Sequence, residues 1–243
     1  MRKPYHLMTY DNRIGKNMKI ITKIAVLILF AFNISYADIR TTVKNDCASC
    51  HSFKKVETDF TQRLERKGSP LYYAGNKYNE SWLINWLQNP VTIRPGGSFP
   101  PNHTIVTDEG DIIDEKTLPK HMKLSQKKAK EVAQYLMTLK AHQDLIDKVS
   151  YKAKKISKSS GRMNFAKFQG CLSCHKDSST EGGRSGPELY TAWNRLQAKY
   201  IVSYLKEPQL WDKFTMMPNK HLKDSKIQKL VDYLKVIGES NDK

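Results

Sequence analysis

The sequence predicts an all-α protein built from two small helical domains in tandem. The motif Cys-x-x-Cys-His occurs twice, at residues 47–51 and 171–175. Apolar residues recur at helical spacing after each motif, in segments that stop at Pro90 and Pro208. The chain has 243 residues, which is enough for two domains of about 100 residues each. These observations indicate an internal duplication.

The spacing within each motif points to covalently attached haem. Two cysteines one turn apart can each form a thioether with one vinyl group of a porphyrin, and the next residue brings an imidazole to the iron. All four cysteines are therefore predicted to attach haem: Cys47, Cys50, Cys171 and Cys174. The predicted proximal ligands are His51 and His175. A zinc site is disfavoured because structural zinc pairs usually lie closer in sequence, and a redox disulfide needs a βαβ context.

The motifs and the helical segments after them resemble a tandem pair of class I cytochrome c domains. The resemblance covers most of the sequence after about residue 38. It implies two covalently bound haem c groups, each within a small helical bundle, in a protein exported from the cytoplasm. We expect a first domain over residues 38–145, a Lys/Ser-rich linker over 146–161 and a second domain over 162–243.

Residues 1–37 have the order of a secretory signal. Lys19 and Lys23 precede the apolar run 24–32, and Ala37 ends a small-x-small cleavage site. The run is shorter than the ~20 residues that span a bilayer, so cleavage after Ala37 is expected and an uncleaved inner-membrane anchor is the alternative. Residues 1–17 are interpreted as an upstream extension. The residues between Ala37 and Cys47 are too few to predict a strong N-terminal helix.

A turn on the proximal side of each haem is implied by the resemblance. In the family a Gly-Pro-x-Leu-like turn offers a backbone carbonyl to the axial histidine. In the first domain a short helix over 57–67 ends at Gly68, and Pro70 is assigned the carbonyl role although Ser69 interrupts the Gly-Pro pair. An ordinary turn proline is the alternative. The second domain repeats the turn with Pro187.

Two further helices are predicted in the first domain, with a long loop between them. Asn79 is placed to cap a helix that runs to Leu87, and Ser125 is placed to cap a helix that runs to Met137. The loop 91–117 is enlarged relative to the second domain and contains an acidic patch. Loops of this length are usually functional or disordered, so it is expected to cover a haem edge or dock a partner.

The distal ligand of the first haem is left open by the sequence. In the family a methionine directly before a proline binds the iron, but Leu118 stands at that position and cannot coordinate. Met122 and His121 are the nearest substitutes, and His103 is more distant. An open distal site is the remaining alternative.

The second domain matches the family pattern more closely. A helix from Met163 is predicted to lead into the haem motif, and the last helix is predicted to end at Gly238. Met217 directly precedes Pro218, so the resemblance implies that its thioether is the distal ligand. Met216 is the alternative ligand, and Met217 as core filler is the other interpretation.

The chain is strongly basic, with a formal charge of +17. Without residues 1–37 it keeps 35 basic and 23 acidic residues. Such a surface favours redox protein partners with acidic docking surfaces, including an inner-membrane complex, although a solvated lysine-rich face has the same composition. Nucleic acid is not an expected partner, because the leader directs the protein out of the cytoplasm. No small-molecule substrate is expected of a haem with two axial ligands.

These inferences combine into one main hypothesis: a periplasmic dihaem c-type cytochrome that carries electrons in a respiratory chain, as a shuttle or as a subunit of an oxidoreductase complex. The alternative is a dihaem enzyme, peroxidase-like or oxidising sulfur compounds, with an open or weakly ligated first haem. A haem-based gas sensor is a third class, but it predicts a signalling domain that the sequence does not contain.

Overall fold

The computed structural model describes residues 39–55 and 59–241. The predicted signal peptide, residues 1–37, lies outside the described residues. About half of the described residues are helical, and the sheet consists of two strands of two residues each. The predicted all-α class is therefore confirmed. None of the described helices is long and apolar enough to cross a membrane.

The chain divides into two compact units, Met1–Asp46 and Cys47–Lys243. Residues 39–47 are helical (α1), so the expectation of no strong helix before the first motif is wrong. Ile39 and Val43 are both buried, and a spacing of four places them on one face of α1. Burial of an apolar face of this kind stabilises a helix that is too short to be stable on its own.

In the second unit, residues 47–149 form what is called here the N-terminal half. Its helices are α2 (Phe60–Leu64), α3 (Ala74–Lys77), α4 (Glu80–Gln88), α5 (Gln126–Met137) and α6 (Gln143–Asp147). The predicted Ser125 cap is confirmed, because its hydroxyl accepts a hydrogen bond from the Lys128 amide. Leu83 and Leu87 of α4 are buried, as is the apolar face of α5, and these two helices pack on each other.

Residues 150–241 form the C-terminal half. Its helices are α7 (Lys158–Arg162), α8 (Ala192–Arg195), α9 (Ala198–Lys206), α10 (Pro208–Trp211) and α11 (Asp224–Asn241). A π-helical turn, Met163–Phe168, continues α7 towards the haem motif. The prediction that Gly238 ends the last helix is wrong. A Cβ at Gly238 would lie 2.7 Å from Trp193 Cβ, so this glycine lets α11 approach α8 closely.

The loop 91–117 has secondary structure of its own. A 3-10 helix, Pro100–His103, leads into a small antiparallel hairpin of β1 (Thr104–Ile105) and β2 (Ile112–Ile113), and a second 3-10 turn covers Glu115–Thr117. His103 Nδ1 lies 2.8 Å from Thr117 Oγ1, which joins the two ends of this hairpin region. The loop is therefore an ordered element.

The predicted linker, residues 146–161, contains the ends of α6 and α7, and the chain between them contacts α11. The Tyr151 hydroxyl and the Lys154 amide both donate to the buried carboxylate of Asp232, at 2.8 and 3.0 Å. Gln228 Nε2 also donates to the carbonyl of Lys152. This attachment could not be predicted from the sequence. Two of its three hydrogen bonds use main-chain groups of lysines, whose charged side chains indicate a solvated linker.

The two halves contain corresponding elements that meet face to face. Helix α3 begins at Ala74 and α8 at Ala192, while α4 begins at Glu80 and α9 at Ala198, so both spacings are 118 residues. Tyr78 and Leu196, the residues after α3 and α8, form an antiparallel bridge.

Side chains at equivalent positions reinforce this bridge reciprocally. Asn79 Nδ2 donates to the carbonyls of Asn194 at 2.9 Å and Leu196 at 3.2 Å. Gln197 Nε2 donates to the carbonyls of Gly75 at 2.9 Å and Tyr78 at 2.8 Å. Asn79 is the N-cap residue of α4, as predicted, but its side chain bonds to the opposite half instead of its own helix.

Candidate haem sites

Each Cys-x-x-Cys-His motif forms a tight turn that brings its histidine back over the first cysteine. His51 N donates to the Cys47 carbonyl at 2.9 Å, and His175 N donates to the Cys171 carbonyl at 3.0 Å. Cys50 and Cys174 occupy the same exposed position in the two turns. The matching backbone geometry gives both motifs the thiol and imidazole placement that the spacing predicts.

A backbone carbonyl orients each predicted proximal imidazole. His51 Nδ1 lies 2.7 Å from the Ser69 carbonyl oxygen, and His175 Nδ1 lies 2.7 Å from the Pro187 carbonyl oxygen. A carbonyl can only accept, so Nδ1 bears the proton in both rings and Nε2 keeps its lone pair. An imidazole held in this way is prepared to bind a metal through Nε2.

The assignment of the first carbonyl to Pro70 is therefore corrected to Ser69. The two turns align at their leading glycines, Gly68 and Gly186, which places Ser69 opposite Pro187. Pro70 is one residue too late to reach the imidazole. The role depends on a main-chain oxygen, so the side chain at this position is free to differ.

The proximal glycines show that the residues fit a haem bound through histidine. A Cβ at Gly68 would lie 2.7 Å from His51 Nδ1, and one at Gly186 would lie 2.5 Å from His175 Nδ1. Any larger residue would push the loop off the ring. Covalent haem attachment requires two thiols and a neutral imidazole. Both motifs provide these groups, and a nearby loop holds each imidazole in place.

The local electrostatics keep both imidazoles neutral and one thiol protonated. Burial lowers the pKa of His51 and of His175, and the charges of Arg94 and Arg195 lower that of His175 further. Burial raises the pKa of the Cys171 thiol to about 11. Among the described residues no three His, Cys, Asp or Glu side chains gather into a site for a metal ion.

The candidate distal residues of the first motif lie in different surroundings. The His121 ring faces His51, with 6.2 Å between ring centroids, and packs against Trp86 at 4.6 Å. The side chain of Met122 is 47% exposed. His103 belongs to the hairpin region, where it contacts Gly97. The His121 ring is therefore the candidate imidazole that lies beside His51.

The candidate distal residue of the second motif is on the loop before α11. The Met217 side chain is partly buried, whereas Met216 is 44% exposed. The Met217 amide donates to Thr215 Oγ1 at 3.3 Å, and its carbonyl accepts from Gln209 Nε2 at 3.2 Å. These two bonds fix the loop around Met217, which favours it over Met216 as the thioether ligand.

Sequence reasoning missed that the loop 91–117 contributes to the second site. The Gly96 amide donates to the Arg184 carbonyl at 3.0 Å, and the Glu188 amide donates to the Ile93 carbonyl at 2.8 Å. These bonds attach the start of the loop beside Pro187, and they bring the charge of Arg94 close to His175. A hydrogen bond made by main-chain groups leaves no mark in the sequence.

A group of charged side chains also joins the two halves. Arg66 of the N-terminal half donates to Asp212 of the C-terminal half at 2.7 Å, and Arg63 Nε lies 3.6 Å from the same carboxylate. All three side chains are at most 10% exposed. Two arginines against one aspartate leave an excess of positive charge in this cluster.

Comparison with known proteins identifies a cytochrome c domain in the C-terminal half. Residues 157–234 match the family described as cytochrome C oxidase, cbb3-type, subunit III. No curated protein and no solved structure matches the chain. The matched domain supports a c-type cytochrome, that is, an electron-transfer protein with covalently bound haem c and iron. Domains of this type work with redox partners or complexes and are typically exported.

Proposed function

We propose that the chain is a periplasmic dihaem c-type cytochrome that carries electrons in a respiratory chain, as a shuttle or as a subunit of an oxidoreductase complex. The observation that carries this proposal is the repeated proximal arrangement. Both motif histidines have Nδ1 2.7 Å from a loop carbonyl, and both loops begin with a glycine against the ring. The matched domain covers only the second motif, so the first haem rests on this repetition.

We assign one haem to each of two tandem domains, residues 38–145 and 162–243. Cys47 and Cys50 attach the first haem and Cys171 and Cys174 the second. A bound haem c supplies reversible one-electron exchange at its iron. The protein holds each imidazole in one tautomer and one orientation, so little has to move when the charge of the site changes.

The contacts between the halves support a function that uses both sites together. The bridge of Tyr78 with Leu196, the reciprocal amides and the Arg66–Asp212 ion pair hold the two motifs in one compact unit. Lysines on the surface would steer acidic partners, and association would weaken as salt is added. The leader over residues 1–37 supports export to the periplasm.

The alternative, a dihaem redox enzyme, has an open or weakly ligated iron at the first site. The His121 imidazole facing His51 favours the carrier instead. Potentiometric titration of the purified protein tests the proposal. We expect two reversible one-electron transitions per chain and no turnover of peroxide or of reduced sulfur compounds. A single one-electron transition per chain would remove one of the two haems from the proposal, and rapid turnover would favour the enzyme.

A further inference from the structure

We propose that His121 is the sixth ligand of the first haem iron, which gives the two haems different axial pairs: two imidazoles at the first, and His175 with Met217 at the second. The inference rests on the proposed function, since it needs a haem at the first motif. It resolves an ambiguity among three candidate side chains by their positions.

The separation of the two rings is the first line of support. An imidazole nitrogen lies about 2 Å from a metal that it binds, and the ring centroid lies roughly 1 Å farther back, so two imidazoles on opposite sides of one iron have centroids roughly 6 Å apart. The centroids of His51 and His121 are 6.2 Å apart. Their planes differ by 63°, which two rings on a common axis can do by rotation about it.

The tautomers of both rings are the second line of support. His121 Nδ1 lies 2.9 Å from the Met122 carbonyl oxygen, which can only accept, so the proton is on Nδ1 and the lone pair on Nε2. His51 has the same arrangement with Ser69. In both imidazoles Nε2 therefore keeps the lone pair that can bind a metal. A backbone carbonyl orients each ring, as is usual for metal-bound histidines.

The surroundings of His121 hold it in place. Its ring packs against Trp86, which stacks on Trp82 at 5.7 Å along α4. The Leu124 amide donates to the Leu87 carbonyl at 2.9 Å, so the segment with His121 is attached to the end of α4. Ser125 then starts α5. The His121 side chain is itself exposed, so these contacts position the segment and the ring without enclosing them.

The competing side chains have other roles. The Met122 backbone carbonyl orients His121, which gives Met122 a supporting role in this assignment. His103 bonds to Thr117 and contacts Gly97 within the hairpin region. His121 is thus the candidate that has both the position and the free nitrogen.

Different axial pairs predict different reduction potentials. A thioether is a soft ligand that favours ferrous iron, so an imidazole–thioether pair raises the potential relative to two imidazoles. The first haem is therefore expected to be the harder of the two to reduce. The site order along the chain would then also be an order of potential, from low at the first motif to high at the second.

The test compares His121→Ala with Met122→Ala in the full-length, haem-loaded protein. The neighbouring methionine is the matched control, because it lies on the same segment and is also exposed. Haem is counted by the pyridine haemochrome assay, and low-spin and high-spin ferric signals are counted by EPR. We expect two low-spin signals in the parent and in Met122→Ala. In His121→Ala one of the two should become high-spin, and added imidazole should restore it.

Two results would overturn the assignment: two low-spin signals in His121→Ala, or a high-spin signal in Met122→Ala. Near-infrared magnetic circular dichroism of the unmodified protein gives a check that needs no variant. It separates ferric haems with two imidazoles from those with imidazole and thioether, and one of each is expected. A parent protein with fewer than two haems would contradict the proposed function, whereas two haems with an unaffected His121→Ala would contradict only this inference.

Discussion

Gln197 offers the most direct test of how the two halves are joined. Its Nε2 donates to the carbonyls of Gly75 at 2.9 Å and Tyr78 at 2.8 Å, both in the opposite half. A buried hydrogen bond contributes about 1 kcal/mol net, so Gln197→Ala should lower the free energy of unfolding by about 2 kcal/mol. The carbonyls of Gly75 and Tyr78, both part-buried, would lose this hydrogen-bond donor, so we expect a loss of this size.

Urea unfolding of the haem-loaded protein, followed by far-UV circular dichroism, measures this loss. Gln143→Ala is the matched control, because Gln143 Nε2 bonds to Asp147 on the exposed surface of a single helix. A helical side-chain pair of this kind contributes about 0.2–0.5 kcal/mol. If Gln197→Ala cost no more than the control, the amide would not be joining the halves and the packing described above would be wrong.

Two further predictions concern the second site and the ion pair. Gly186→Ala should displace the loop that supports His175, so its haem spectrum should change, whereas Gly238→Ala, which meets Trp193 instead, should lower stability with the spectrum intact. An identical spectrum in both variants would contradict this. Asp212→Asn should destabilise the protein by about 3 kcal/mol at pH 7, because it leaves Arg66 and Arg63 without their carboxylate; a loss within experimental error of zero would contradict it.

The pH dependence of Asp212→Asn follows from the direction of the carboxyl pKa. Burial opposes ionisation, but the hydrogen bond and charge of Arg66 and the charge of Arg63 together hold the pKa of Asp212 below its usual value. Its stabilisation is thus present above the unfolded pKa of about 4 and disappears as the pH falls through the lower folded value. The free energy of unfolding should fall less steeply with acid in Asp212→Asn than in the parent. Equal slopes would refute the argument.

Short-range features of this chain could be predicted from the sequence. The Cys-x-x-Cys-His spacing determines a local turn, and the Ser125 cap with the apolar face of α5 needs no information from elsewhere in the chain. The proximal carbonyl at Ser69 was missed by one residue because the role belongs to the main chain. A sequence motif records side chains, so it locates such an oxygen only approximately.

Long-range features could not be predicted, and the reasons are physical. Asn79 is a residue type that favours the N-cap of a helix. Its side-chain amide nevertheless bonds to the opposite half, because the bridge of Tyr78 with Leu196 brings that backbone within reach. Glycine commonly ends a helix, but Gly238 lies within α11. A side chain at this position would collide with Trp193. His121 and Met122 are neighbours with equal claims as ligands. The separation of the His121 and His51 rings, together with the packing of His121 against Trp86, distinguishes them.

The central claim, that both motifs hold haem, is tested most directly by intact-protein mass spectrometry under denaturing conditions. Covalent haem remains attached when the protein unfolds, so each thioether-bound group adds its mass. The account predicts the mass of the polypeptide plus two haems, and one haem in each of the double variants Cys47→Ala/Cys50→Ala and Cys171→Ala/Cys174→Ala. A parent protein with one haem, unchanged in the first variant, would contradict it.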